Sequence, residues 1–137
     1  MDLKTAIKNA GCLVFVSSAH GKYIGVIDDI RKNNHTYLAK ICILACLQYP
    51  SQKALLQNTK YERRPHQYKS LHDYNLDDVE IYSSNLPPEI CDQFYYNKSI
   101  KNALAQKIND YGWIDDFEKQ ILLQHLVEVK RQNGEAV

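Results

Sequence analysis

The side chains best suited to binding chemistry are concentrated in residues 60–69, the basic loop, which alternates cations with aromatic rings. Lysine and arginine there would neutralise phosphates while tyrosine rings stack on unpaired bases. The same side chains would also suit an acidic protein partner, because arginine bonds a carboxylate through two parallel N–H groups. Pro65 stiffens the segment. The predicted binding residues are Lys60, Tyr61, Arg63, Arg64, His66, Tyr68 and Lys69.

Charge is polarised along the chain although the formal net charge is only +1. Residues 30–72 carry eight basic side chains and one acidic one, whereas residues 73–97 carry six acidic side chains and no Lys or Arg. Charge blocks of this kind indicate partners more than they indicate a fold. Two alternatives stay open for the basic loop. It binds an external partner, or it docks on the chain's own acidic residues between 73 and 92.

No sequence motif identifies a reaction, since the chain lacks a glycine-rich phosphate loop, HExxH and GxSxG. Asp78 and Glu80 would share one face of a strand, which a hard cation can use, but such acids more often protect a sheet edge from aggregation. His66, His72 and Asp73 would form an acid–base site only if distant segments completed it. We therefore predict no metal, no cofactor and no catalytic residues.

The composition predicts one globular domain. At 137 residues, with 45% hydrophobic and 24% charged side chains, the chain is long enough to bury its own core. The four cysteines form no CxxC pair, and the first residues lack the apolar stretch of a signal peptide. The longest apolar run, residues 41–47, is too short to span a bilayer. We expect a cytoplasmic protein without a membrane segment, in which Cys42 and Cys46 pack in the core.

The first third of the chain predicts a short helix followed by a β-hairpin. Residues 2–9 fit a helix that Asp2 caps. Residues 13–16 and 23–27 are β-type runs about a turn that contains glycine, which is a hairpin pattern. Gly25 inside the second run indicates a bulge or a sharp bend.

The middle of the chain carries its longest apolar segment, residues 36–49, after a turn at residues 31–35. The odd-numbered positions are all apolar or aromatic, which favours a central strand buried on much of both faces. A buried helix is the alternative, because periodicity does not separate the two in a short apolar run. Residues 50–70 predict irregular structure, and the alternation in residues 77–82 predicts a half-exposed strand.

The last third predicts helices. Pro88 suits the first position of a short helix. Residues 99–111 have apolar side chains at helical spacing. Asp115 and Glu118 form an Asp-x-x-Glu capping pair that would open a last helix to about residue 131.

These elements predict an α+β fold: a small bent antiparallel sheet or a β-barrel, with a short N-terminal helix and a C-terminal helical hairpin. We expect a β-rich core at residues 1–85 and a helical extension packed on it at residues 86–137, as a single compact unit. The strand–turn–strand pattern with bent glycine positions in residues 11–82 resembles small barrels of the SH3-like or Sm-like type. That resemblance implies a closed barrel.

The function predicted from these features is non-enzymatic protein binding, as an adaptor or regulatory module that uses the Tyr/Arg-rich basic loop. The preferred partner is another protein, through an acidic segment. The first alternative is nucleic-acid binding by the same loop, and the second is a small enzyme with a dispersed site. The sequence leaves the oligomeric state open.

Overall fold

A computed structural model describes residues 1–52, 63–83, 92–110 and 116–134 of the chain. One antiparallel sheet follows a short helix and precedes two longer helices. Its strands are β1 (Leu13–Ser18), β2 (Gly21–Asn33), β3 (Thr36–Gln48), β4 (Leu71–Asn75) and β5 (Val79–Ile81). The helices are α1 (Leu3–Lys8), α2 (Gln93–Asp110) and α3 (Asp116–Gln132).

The sheet is open, with strand order β4-β3-β2-β1-β5. Strands β4 and β5 are therefore its two edges, and in the described ranges they do not pair with each other. The predicted α+β class with a bent antiparallel sheet is confirmed. The alternative of a closed SH3-like or Sm-like barrel is not formed, because closure requires the first and last strands of the sheet to hydrogen-bond together.

Gly25 lies where β2 bends. The pairing of β2 with β3 shifts register between Ile24 and Gly25, which confirms the predicted bulge. A Cβ atom at position 25 would lie 2.7 Å from the carbonyl oxygen of Cys42 and closer still to the Ile41 side chain. Only glycine therefore allows β3 to approach β2 at this point.

Of the predicted segment 36–49, residues 36–48 form strand β3 rather than the alternative buried helix. β3 pairs with β2 on one side and with β4 on the other, so its backbone hydrogen bonds are satisfied within the sheet. The preceding turn is shorter than predicted, because only Asn34 and His35 separate the paired residues of β2 and β3. Asn34 has a φ of 57°, as tight two-residue hairpin turns require.

Several elements differ from the prediction, and strand β2 runs over Gly21–Asn33 instead of residues 23–27. Strand β4 was not predicted from the sequence, and residues 77–82 divide into a 3-10 turn (Leu76–Asp78) and the short strand β5. Helix α2 begins at Gln93 instead of residue 99. The predicted helix start at Pro88, the capping residue Asp115 and the boundary at residue 85 lie outside the described residues.

Helix α2 packs against β3 and against α3, which joins the helices to the sheet in one hydrophobic core. The backbone N–H of Cys46 in β3 donates to Ser99 Oγ in α2, at 3.0 Å. Helix α1 is capped as predicted, since Asp2 Oδ1 accepts the N–H of Thr5 at 2.7 Å. The shared core includes Val16, Ile41, Ile43, Tyr49, Ile100, Leu104 and Leu122.

Candidate functional site

The described part of the basic loop, residues 63–69, is held at its start by the fully buried Gln52. The N–H of Arg63 donates to Gln52 Oε1 at 3.0 Å, and Gln52 Nε2 donates to the Arg63 carbonyl at 2.8 Å. The N–H of Gln52 in turn donates to Glu118 Oε1 of α3, at 3.2 Å. Glu118, a predicted capping residue, is thus buried and ties the loop base to α3.

His66 fixes the middle of the basic loop through its backbone. Its N–H donates to the Tyr23 hydroxyl oxygen of β2 at 3.0 Å, and its carbonyl accepts the hydroxyl of Tyr96 in α2. Burial raises the pKa of both tyrosines well above its usual range, so both hydroxyls keep their protons near neutral pH. The loop is therefore clamped between the sheet and α2.

The side chain of His66 belongs to a cluster of rings on the sheet. It stacks on His72 with ring centroids 3.5 Å apart and on Tyr23 at 4.9 Å, with the ring of His20 at 5.5 Å. Burial, together with the two neighbouring histidines, lowers the pKa of His66 to about 4. Burial also lowers the pKa of His72. His66 is consequently neutral near pH 7 and packs as an aromatic ring.

The sequence raised His66, His72 and Asp73 as a fragment of an acid–base site, and the structure separates their roles. The two histidines contact each other, but the Asp73 carboxylate forms an ion pair with Arg31 of β2. His72 Nε2 lies 2.9 Å from the hydroxyl of Ser70. In the described ranges no group of three His, Cys, Asp or Glu side chains is arranged to hold a metal ion.

The end of the basic loop returns to the sheet at Lys69, which adopts a left-handed backbone with φ 61°. The N–H of Lys69 donates to the Ile43 carbonyl at 2.7 Å. Its ammonium lies 5.4 Å from the ring centroid of Tyr68, within the range of a cation–π contact. The Tyr68 ring is 5.8 Å from that of Tyr96, so α2 also contacts this end of the loop.

Arg64 pairs with a carboxylate of α3. Its guanidinium lies 2.6 Å from Glu128 Oε2, and both side chains are about half exposed, at 47% and 49%. One of the two alternatives from the sequence docked the basic loop on the chain's own acidic residues between 73 and 92. The acid that pairs with Arg64, Glu128, lies outside that range. An exposed pair of this kind contributes at most about 1 kcal/mol to stability.

A cleft of about 380 Å³, the loop–helix cleft, lies between the basic loop and the two long helices. Its lining is rich in side-chain amides and tyrosines, which both donate and accept hydrogen bonds. A cleft of this size with apolar and polar walls suits a short polypeptide segment or a small molecule. Its polar lining residues include Arg64, Gln67, Tyr68, Gln93, Tyr96 and Asn97.

The predicted binding residues divide into three groups. Those at the cleft are Arg64 and Tyr68, with Lys69 over the Tyr68 ring. Those that fix the loop are Arg63 and His66. Those outside the described residues are Lys60 and Tyr61. Binding of a partner by any of them stays a prediction.

The sequence reasoning missed the contribution of α2. Gln93 and Asn97 lie one turn apart on this helix, and Gln93 Nε2 donates to Asn97 Oδ1 at 2.8 Å. Their spacing on a helix was a usable signal. It did not show that the basic loop, some 30 residues earlier, forms the opposite wall, because only tertiary packing brings the two together.

The cysteines of β3 show packing rather than reactive chemistry. Cys46 is buried, and burial raises the pKa of its thiol to about 12, so it stays protonated. Its Sγ donates to the Gln48 carbonyl at 3.5 Å. Cys42 is half-buried in the same strand.

No helix in the described ranges has both the length and the apolar character needed to cross a membrane.

Comparison with known proteins gives a fold relationship. No protein-family model matches the chain, and no curated protein matches it. Among solved structures, the fold is similar to the crystal structure of kinase-associated protein B from Bacillus cereus, with a TM-score of 0.63 and 22% sequence identity. The match covers 91% of this chain and 96% of that one. The two proteins therefore share one α+β architecture over nearly their whole lengths.

Proposed function

We propose that this protein is a non-enzymatic protein-binding module, with an adaptor or regulatory role, and that it binds its partner in the loop–helix cleft. The observation that carries the proposal is the cleft itself, with amide and tyrosine side chains beside an arginine. Tyrosine and arginine supply most of the binding energy at many protein interfaces.

The chemistry of the walls favours a polypeptide as the bound group. Gln67 and Asn97 present amides from opposite sides of the cleft, and amides pair with the N–H and carbonyl groups of an extended chain. Tyr68 adds aromatic surface. Arg64 adds a guanidinium that bonds carboxylates or carbonyls.

The way the loop is fixed also supports this function. Gln52 and Tyr96 donate hydrogen bonds to the loop backbone, and the Tyr23 hydroxyl accepts one from it, so the loop is held before any partner arrives. A preformed surface loses less conformational entropy on binding than a mobile loop, which favours affinity.

The name of the structural neighbour, kinase-associated protein B, supports a protein partner in this fold. A kinase is accordingly the first partner class to test.

The test is site-specific photocrosslinking in extracts of the source cells. A photoreactive benzoyl-phenylalanine replaces Gln67, which is exposed at the cleft, or Lys4, which is exposed on α1 as the matched control. We expect a discrete protein adduct from position 67 that position 4 does not give, and its loss in Arg64→Ala. Circular dichroism melting of Arg64→Ala should show little change, because the Glu128 pair is exposed.

Other outcomes would contradict the proposal. Equal adducts from both positions would indicate non-specific contact. Labelled oligonucleotides that bind tightly, with affinity that falls steeply as salt rises, would assign the surface to nucleic acid instead. A small molecule that co-purifies and is released by Tyr68→Ala would favour an enzyme.

A further inference from the structure

Phe94, in the first turn of α2, is 76% exposed, the highest value among the large hydrophobic side chains of the described residues. It lines a second cavity of about 430 Å³, the Phe94 cavity. Lys98 and Lys101 follow it at intervals of four and three residues on the same face of the helix. An exposed aromatic ring beside two lysines is typical of an interaction surface.

The Phe94 cavity adjoins the loop–helix cleft. Three residues line both cavities: Asn97 of α2, and Gln132 and Asn133 at the end of α3. The two cavities therefore form one groove, which runs from the basic loop across the end of α3 to Phe94. Two adjoining cavities of about 380 and 430 Å³ have room for an extended segment of chain rather than a single side chain.

The lining of this groove is positively charged. Arg64, Lys98 and Lys101 contribute to it, and no Asp or Glu lines either cavity in the described part of the chain. Glu128 pairs with Arg64 and offsets its charge, and Asp92, whose Oδ1 accepts the N–H of Tyr95 at 2.7 Å, precedes Phe94 as an acid at the start of α2. The positive charge of the lining that Glu128 does not offset is that of Lys98 and Lys101. The Phe94 end of the groove, which Lys98 and Lys101 line, is thus the part that is electrostatically complementary to an anionic partner.

We propose that the groove binds an extended acidic peptide segment, with one apolar side chain packed on Phe94 and carboxylates over Lys98 and Lys101. This inference rests on the proposed function and specifies the partner's chemistry. A peptide fits better than a nucleic acid, because the remaining lining is mostly amide side chains that match a peptide backbone. A phosphate backbone would require a longer track of cations.

The test is selection from a displayed library of random peptides about 12 residues long, about 40 Å when extended. The full chain is the bait, and enriched sequences are read out and synthesised for affinity measurement. We expect enrichment of Asp and Glu together with one apolar residue. Phe94→Ala should weaken the selected peptides at least about 10-fold.

Lys98→Ala/Lys101→Ala should weaken them about 5-fold at low salt, with a smaller difference at high salt. The matched control is Lys4→Ala/Lys8→Ala, which removes the same charge from α1 and should leave affinity unchanged.

Three results would overturn the inference. Selection of neutral or basic peptides whose binding is lost in Arg64→Ala would show that the cleft binds a polypeptide of another kind. The proposed function would then stand, but the acidic segment would not. If the full chain enriches no peptides beyond those that the bare support retains, the groove does not bind an acidic segment. The proposed function is tested separately, by crosslinking from position 67. Oligonucleotide binding that is lost in Lys98→Ala/Lys101→Ala would assign the groove to nucleic acid.

Discussion

Acid is expected to destabilise this protein through His66, because the folded state resists protonation of its ring. The pKa of His66 is lowered to about 4 in the folded state, against an unfolded value of 6.5. Between these two pH values the unfolded chain binds more protons than the folded one. The contribution of His66 to the free energy of unfolding is therefore fully present above pH 6.5, and it is lost as the pH falls from about 6.5 towards 4.

The size of the effect follows from the pKa difference. Each pH unit between the two values corresponds to about 1.4 kcal/mol, which gives about 3.4 kcal/mol for the full window. His66 is only half-buried, so solvent screening reduces this to about 1.5 kcal/mol. About 1 kcal/mol of it should be lost between pH 7 and pH 5.

The groups that face His66 either disfavour its protonated form further or supply no charge that would favour it. His20 and His72 would add positive charge beside a protonated ring. The pKa values of Tyr23 and Tyr74 are raised by burial, so they supply no negative charge. Asp73, the acid next to His72, is already paired with Arg31.

The assay is urea unfolding, followed by circular dichroism, at about pH 7 and about pH 5. His66→Gln keeps position 66 uncharged at both values, so its loss of stability with acid should be smaller than that of the wild type by about 1 kcal/mol. His35→Gln, in the exposed β2–β3 turn, is the matched control and should behave as the wild type.

Equal loss of stability in the wild type and in His66→Gln would refute this reasoning. An NMR titration of the His66 ring with a midpoint near 6.5 would do so as well, because it would show that the cluster does not disfavour the charged form.

Two further substitutions test the fold. Gly25→Ala should lower the free energy of unfolding by about 2–3 kcal/mol in urea titrations, because the alanine Cβ would overlap the Ile41 side chain and the Cys42 carbonyl. An unchanged urea midpoint would mean that β3 can shift away without cost. Tyr49→Phe should cost about 1–2 kcal/mol in the same assay, because it removes the 2.7 Å hydrogen bond to the buried Nδ1 of His125. A loss below about 0.5 kcal/mol would show that this bond is not a net contributor.

The sequence predicted those parts of the fold that local patterns determine. Asp2 caps α1, Gly25 marks the bulge, and the apolar run at residues 36–49 is the central strand. Strand β4 escaped prediction because its inward positions are His72 and Tyr74 and its exposed positions begin with Leu71, so the alternation in burial is not an alternation of apolar and polar residues. Its existence depends on pairing with β3.

Whether the sheet closes also lay beyond local patterns. An SH3-like barrel and an open bent sheet share short strands, tight turns and bulged glycines. They differ only in whether the two edge strands hydrogen-bond to each other. Here β4 and β5 form the two opposite edges of the sheet.

The basic loop was recognised by composition, but the roles within it were not. The backbone of His66 bonds hydroxyls 43 and 30 residues away in sequence, which no local pattern reveals. The opposite wall, with Gln93 and Asn97, likewise depends on tertiary packing.

The clamp on His66 has a consequence for synthesis of the protein on the ribosome. Tyr23 precedes the basic loop, whereas Tyr96, which bonds the His66 carbonyl, and Glu128, which bonds Arg64, follow it in the chain. A nascent chain exposes its N-terminal segments first. The hairpin of β1 and β2 is then available while the loop still lacks half of its support. The groove is therefore completed only after α3 has emerged, so a partially synthesised chain would lack the proposed binding surface.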